Sequence, residues 1–198
     1  MVGYDSPSAP GAGFGPSKVV LNVGCGYANR QGLHPSYTGP EWRELRLDIN
    51  PAVSPDILCS MTNMHPVASD SIDAIWSSHN LEHLHRHEVP VALGEFRRVL
   101  RPGGEMLLTL PDLQRIAELV AGDGLEDEAY SSPAGPITPL DMIYGHTPSL
   151  ARGNEYMAHR TGFTARTLRR LLTEAGFAGV ALQRDGFALW AKAFKPAA

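Results

Sequence analysis

The chain has 198 residues, 43% of them hydrophobic and 19% charged, which suits one globular unit with room for a full core. Its 17 basic and 21 acidic side chains leave a formal charge of −4, and no Lys/Arg cluster marks a nucleic-acid face. The longest apolar runs fall well short of the roughly 20 residues that cross a bilayer. The two cysteines, Cys25 and Cys59, form no Cys-x-x-Cys pair and are too few for a disulfide scaffold, so a reducing, cytoplasmic setting is expected.

Residues 1–17 are rich in Gly, Pro, Ser and Ala and lack both a basic start and an apolar core, so they read as a flexible lead-in rather than a signal peptide. A single domain over 18–198 is expected to follow. Its first strand is Val19-Val20-Leu21-Asn22-Val23, an apolar run ending in glycines as a buried parallel strand does. Further strands are expected at 45–49, 56–59 and 71–77, the last with alternating Ile72, Ala74 and Trp76. Leu93, Phe96, Val99 and Leu100 recur at helical spacing, which predicts a helix over 87–100, with Pro90 in its first turn. Arg101-Pro102-Gly103-Gly104 stops that helix, and 105–110 forms the fifth strand. Asp112 then caps a short helix over 112–120.

The stretch 121–162 is rich in Gly, Pro, Ser and Tyr. A connection that long predicts a lid or a binding segment, with some helix near 140–144. Thr164 caps a helix to about 175, with Leu168, Leu171 and Leu172 on one face, and Gly176 ends it. Strands over 179–184 and 187–194 close the chain, joined at the hairpin signal Asp185-Gly186. The alternation predicts an α/β, Rossmann-like doubly wound sheet. It is mostly parallel, with helices on both faces and one antiparallel strand in the C-terminal hairpin.

Gly24-Cys25-Gly26 follows the first strand directly. Two glycines allow a tight turn and let a ligand approach without Cβ atoms in the way. Asp48 closes the next strand, where a carboxylate can accept hydrogen bonds from both hydroxyls of a ribose. Turn and carboxylate together read as a nucleoside site. The dinucleotide fingerprint wants a third glycine beside the pyrophosphate, and Asn29 stands there instead, so a nicotinamide dinucleotide is disfavoured.

Four segments carry a resemblance. They are Val20-Leu21-Asn22-Val23-Gly24-Cys25-Gly26, Leu47-Asp48-Ile49-Asn50, Ser78-His79-Asn80-Leu81-Glu82-His83-Leu84, and Phe96-Arg97-Arg98-Val99-Leu100-Arg101-Pro102-Gly103-Gly104. Over 18–194 the chain resembles a class I S-adenosylmethionine-dependent methyltransferase. It is also similar to the compact bacterial type 11-like predicted methyltransferases, through Pro111-Asp112-Leu113, Tyr144-Gly145-His146 and a His-x-x-Gly-Phe-Thr run at His159 to Thr164.

The resemblance implies S-adenosylmethionine as cofactor and S-adenosylhomocysteine as product. By position, Gly24, Cys25 and Gly26 would pass the methionine portion and Asp48 would hold the ribose. Ile49 and Asn50 would flank the adenine, Ser60 and Met61 would sit at its edge, and His79 would line the site near the sulfonium. Asn22 and Ser60 stand where the family often has Asp, which removes negative charge near a cationic ligand. Asn22 can still reach the cofactor amino group through its amide oxygen.

An amine or hydroxyl acceptor must lose a proton as it is methylated, and histidine suits that near neutral pH. His83, His146 and His159 are the candidates, covered by 121–162, while Tyr144 and Tyr156 either orient substrate or pack. The expected acceptor is a small molecule or a saccharide hydroxyl, with no nucleic acid, no membrane and no metal. Three rivals remain open. One is a cofactor-binding module without turnover, and another is a nicotinamide-dependent reductase. The third is a metal hydrolase using His79-Asn80-Leu81-Glu82-His83, which matches the letters H-x-x-E-H and would need a helix to bring its two histidines to one face.

Overall fold

The computed structural model describes residues 18–27 and 32–197; the expected lead-in over 1–17 lies outside them. Seven strands form the main sheet: β1 (Lys18–Val23), β2 (Trp42–Asp48), β3 (Ile57–Leu58), β4 (Ile72–Ser78), β5 (Leu100–Pro111), β8 (Ala178–Asp185) and β9 (Ala188–Phe194). Their order is β3-β2-β1-β4-β5-β9-β8. The first five pair in parallel, and β9 runs antiparallel to both β5 and β8. The mostly parallel sheet with one antiparallel strand in a C-terminal hairpin is therefore as the alternation predicts. Strand order reverses between β1 and β4, and the carboxyl ends of open α/β sheets bind ligands at such a switch point.

Helices α1 (Val89–Val99) and α5 (Ala165–Glu174) pack on one face of the sheet. Val89, Leu93 and Phe96 of α1 and Leu168 and Leu172 of α5 are fully buried against Leu21, Ile75, Met106 and Leu189. Burial of each such side chain is worth about 1.5–3 kcal/mol. Thr164 caps α5 through a reciprocal bond pair with Thr167, and Gly176, at φ 83°, ends the helix as expected.

The opposite face differs from the expectation. Its buried cluster draws on Val20, Ala74 and Trp76 of the strands and on Tyr37 from a 3-10 turn, and no α-helix contributes to it among the described residues. Aromatic rings do the covering. Trp76 stacks on Trp190 at 5.9 Å, and His34 lies 5.1 Å from Trp76. Residues 24–41, between β1 and β2, hold four glycines and two prolines, residues that disfavour helix.

Two boundaries also move. The run Arg101-Pro102-Gly103-Gly104 ends α1 but is itself the start of β5, bulged against β4 where the register shifts between Ile72 and Ala74. Gly103 there takes φ 79°, open to glycine at no steric cost. The segment 121–162 is folded rather than loose. It holds a hairpin of β6 (Tyr130–Ser132) and β7 (Gly135–Ile137), then α3 (Pro139–Tyr144) and α4 (Thr147–Ala151). Ile137 and Met142 bury a small second core with Ile116 of α2 (Leu113–Ala121), which clips the segment over the carboxyl end of β5.

Candidate functional site

Two groups of side chains meet at the carboxyl ends of β1, β2 and β4. The first surrounds the glycine turn. Gly24 and Gly26 adopt φ 67° and 55°, the left-handed region in which a Cβ is strained. Space forbids a side chain at Gly24 as well, since a Cβ there would sit 1.8 Å from Asn80 Oδ1. The Gly24 and Cys25 amides both donate to the Leu47 carbonyl, at 2.8 and 3.1 Å, which folds the turn onto the end of β2.

Asp48 completes the joint. One carboxylate oxygen accepts from the Gly26 amide at 2.9 Å and the other from the Asn50 amide at 2.8 Å. Each oxygen keeps a second lone pair, so the group is oriented by the backbone and still able to accept from a ligand. Ile49, beside it, is 52% exposed, an apolar surface at a strand end that a flat ring could cover. Asn50 turns its side chain to the Ala52 amide at 3.0 Å and caps a short turn. Ser60 Oγ pairs with Thr62 Oγ1 at 2.8 Å, and Met61 packs partly against the core.

Asn22 is buried and donates through Nδ2 to Glu44 at 2.7 Å, which leaves its amide oxygen as the atom available to a ligand. Cys25 is buried, and desolvation pushes its thiol up to about 11, so it is a packing residue rather than a nucleophile. Arg46 and Asn80 were not singled out as site residues in the sequence. Arg46 Nη2 donates to the Gly26 carbonyl at 2.7 Å, and its Nη1 to Ser54 O at 3.0 Å. Asn80 reaches from the end of β4 to the Val23 carbonyl at 2.9 Å, across the switch point. The strand alternation that puts Arg46 on the same side as Asp48 was the available signal for the arginine.

The second group lies on the other side of Asn80. Glu82 is 1% exposed, and neither carboxylate oxygen has a hydrogen-bond partner of good geometry. Its nearest cation is His79, with Nδ1 3.2 Å from Oε1. His79 holds φ 53°, and its amide is fixed to Thr109 O at 2.8 Å. His79 is partly exposed, and the Glu82 carboxylate beside it outweighs the loss of solvent and raises the ring's pKa. Burial also opposes the Glu82 charge, but the surrounding histidines hold the carboxyl below its usual range.

His83 and His159 complete this group, with ring centroids 4.9 Å apart. His159 Nδ1 donates to Met142 O at 2.9 Å, which fixes the tautomer and leaves Nε2 with a free lone pair. Burial lowers the His159 pKa, so the ring is neutral near pH 7. The backbone amides of Arg160 and Thr161 donate to the Glu82 carbonyl at 2.8 and 3.1 Å and tie the late segment to this wall. A cavity of about 210 Å³ opens here, lined by Glu82 and His159 together with Leu113, Ile116, Met142 and Tyr144.

Of the three histidines expected together, His146 stands apart. It precedes α4 and turns Nδ1 to Ser149 Oγ at 2.8 Å, and it does not line the cavity. Tyr144 and Tyr156 are 62% and 50% exposed. Asp112 is a cap, accepting from the Gln114 amide and pairing with Arg184 Nε at 2.8 Å. The H-x-x-E-H reading fails on geometry. Leu81–His83 is one 3-10 turn and His79 lies outside it in a left-handed conformation, so no helix face carries the two histidines.

Comparison with known proteins now bears on this architecture. Residues 21–108 match the family model described as methyltransferase domain. No curated protein matches the chain by sequence. Among solved structures, an S-adenosylmethionine-dependent methyltransferase from Methanosarcina mazei aligns with TM-score 0.61 at 17% identity, over 93% of this chain and 95% of that one. A possible exported protein from Bordetella parapertussis aligns with TM-score 0.60 at 19% identity, over 93% of this chain; the chain spans 63% of that protein's length. The 1,6-didemethyltoxoflavin-N1-methyltransferase of Burkholderia thailandensis, solved with 1,6-didemethyltoxoflavin and S-adenosylhomocysteine, aligns with TM-score 0.56 at 18% identity, over 90% of this chain and 71% of that one. No helix among the described residues is long and apolar enough to cross a membrane.

Proposed function

We propose that this chain, which carries the methyltransferase domain over residues 21–108 within the class I S-adenosylmethionine-dependent methyltransferase fold, methylates a hydroxyl of a small molecule or saccharide. The observation that carries the reading is the pairing of the glycine turn and a cavity across one switch point. The glycine turn with Asp48 stands on one side, the cavity beside Glu82 and His159 on the other, and Asn80 bonds the two strand ends together at 2.9 Å.

S-adenosylmethionine is the cofactor of this fold. Asp48 holds the ribose hydroxyls and Ile49 covers the adenine, while Gly24 to Gly26 let the amino-acid end pass close to the backbone. A cofactor held there would bring its methyl group to the side of Asn80 on which the cavity opens. Displacement breaks the carbon–sulfur bond and forms the carbon–oxygen bond in line, and the thioether leaves neutral. The main demands on the protein are alignment and exclusion of water. Folding of 121–162 over the carboxyl end of β5 supplies the exclusion, and the Glu82–His83–His159 group serves proton loss from the acceptor.

The cavity argues for a small acceptor. About 210 Å³ is below the roughly 300–1,000 Å³ of drug-sized pockets, which suits one ring or one sugar hydroxyl and its neighbours. The Burkholderia neighbour likewise carries a small molecule as its bound partner.

Calorimetry with S-adenosylhomocysteine tests the core of the reading. The wild-type protein is expected to bind one equivalent, and Asp48→Ala to weaken binding tenfold or more, about 1.4 kcal/mol. Absence of binding at millimolar ligand would end the proposal.

A further inference from the structure

The geometry points to a divalent metal site formed by Glu82, His83 and His159, of the kind that takes zinc or another first-row transition ion. One ligand atom from each residue lies within 4.8 Å of the other two. Tetrahedral ligands at about 2.0–2.2 Å from zinc stand about 3.4 Å apart, so closing the set asks for side-chain movements of roughly 1 Å. The sequence predicts no metal here, because H-x-x-E-H needs a long helix and a distant third ligand and falls inside the Leu-Glu-His segment of the methyltransferase resemblance.

Three observations support a cation at this place. Glu82 is a carboxylate 1% exposed whose one ion-pair contact is His79 Nδ1, 3.2 Å from Oε1; Oε2 has no partner, and a buried carboxylate is costly unless it is fully paired or coordinates a metal. His159 gives its Nδ1 proton to the Met142 carbonyl at 2.9 Å, the outer bond that orients a ligating imidazole and leaves Nε2 free. His83 faces carbonyls through both ring nitrogens, Ala158 O and His79 O, each at 3.1 Å. In the neutral ring only one nitrogen donates, and the other keeps a lone pair that an ion can take once the side chain shifts off its carbonyl.

The ligand set also suits the metal class. Two imidazoles and one carboxylate favour zinc, iron, cobalt or nickel over magnesium and calcium, which prefer an all-oxygen shell. Three protein ligands leave at least one position open, and the neighbouring cavity of about 210 Å³ puts an incoming hydroxyl beside it. The site stands independently of methyl transfer. Where the proposed function also holds, an open position would let the ion acidify an acceptor hydroxyl.

The test uses the full chain stripped with a chelator and titrated with Co²⁺, whose visible absorption reports coordination geometry and which Zn²⁺ displaces. The wild-type protein is expected to take up one equivalent with an intense tetrahedral or five-coordinate spectrum. Glu82→Gln and His159→Ala should each weaken uptake at least tenfold. The exposed rings of His85 and His87 stack at 5.8 Å and are the obvious adventitious site, so His85→Ala/His87→Ala should leave the spectrum intact. Because the buried variants can misfold, the wild-type melting temperature is measured with and without micromolar Zn²⁺, and a rise is expected by linkage. No stoichiometric Co²⁺ spectrum, a spectrum that survives Glu82→Gln and His159→Ala, or one lost with His85 and His87 overturns the site. So does a melting temperature indifferent to zinc. S-adenosylhomocysteine calorimetry on the metal-free protein reads the cofactor reading separately, so either can fail alone.

Discussion

Glu95 shows how one side chain can hold a ligand-side loop in place. Its carboxylate accepts from Arg98 Nε and Nη2 at 2.6 and 2.9 Å and from the Met64 amide at 2.6 Å. Arg98 also donates to the Val67 and Met64 carbonyls, both at 2.9 Å, and to Ser69 Oγ at 3.2 Å. The 64–67 turn is thus pinned to α1 by a charge-assisted fork. The Arg98 hydrogen bond holds the Glu95 carboxyl below its usual range, only partly opposed by burial. A depressed carboxylate pKa contributes stability that is present above the unfolded value, near 4.5, and is lost as pH falls through the folded value. Glu95→Gln should therefore cost about 1–2 kcal/mol in urea unfolding at pH 7. That cost should shrink as pH falls through the folded value. A cost independent of pH would mean that shape, and not charge, does the pinning.

At the scale of elements, the strands and the two face-covering helices were legible because each rests on a local pattern. Leu93, Phe96 and Val99 repeat at helical spacing, Thr164 and Gly176 bracket α5, and Asp185-Gly186 turns the last hairpin. The glycine turn and Asp48 were legible for the same reason, since each sits at the end of a strand the sequence announces. Glu82 carries no such signal, because nothing local says that a carboxylate on a 3-10 turn will be sealed by a histidine 77 positions later. That proximity is created by 121–162, whose order depends on a buried cluster of Ile116, Ile137 and Met142. Composition reads Gly, Pro and Tyr there as loop, and tertiary packing overrides it.

Gly145 is the position where that folding is most exposed to test. It holds φ 103°, and a Cβ would lie 2.0 Å from the Met157 carbonyl. Gly145→Ala must therefore push the 155–159 segment away from α3, at a cost of about 1–3 kcal/mol in strain. His159, whose amide bonds Tyr144 O at 3.0 Å, should move with it. Thermal unfolding is expected at a lower temperature, with S-adenosylhomocysteine affinity unchanged within about twofold. Equal loss of affinity would mean that the segment also covers the cofactor side.

The molecule as a whole is built unevenly about its switch point. On the acceptor side, β4, β5 and β9 carry α1 and α5 on one face, and the folded 121–162 segment closes the carboxyl end. The cofactor side is held by backbone bonds from Asp48 and Arg46 and by short 3-10 turns, with no α-helix between β1 and β4 among the described residues. Local stability follows buried apolar contact, so the two sides should open with different free energies. Ligand binding should then stabilise chiefly the side that is loose without it. Amide hydrogen exchange measures this directly. Saturating S-adenosylhomocysteine is expected to slow exchange several-fold or more over 24–27 and 48–62, while β5 and β9, already limited by global unfolding, gain protection only in step with the overall stability. Equal slowing across all strands would mean that the cofactor loops are as firmly held as the core.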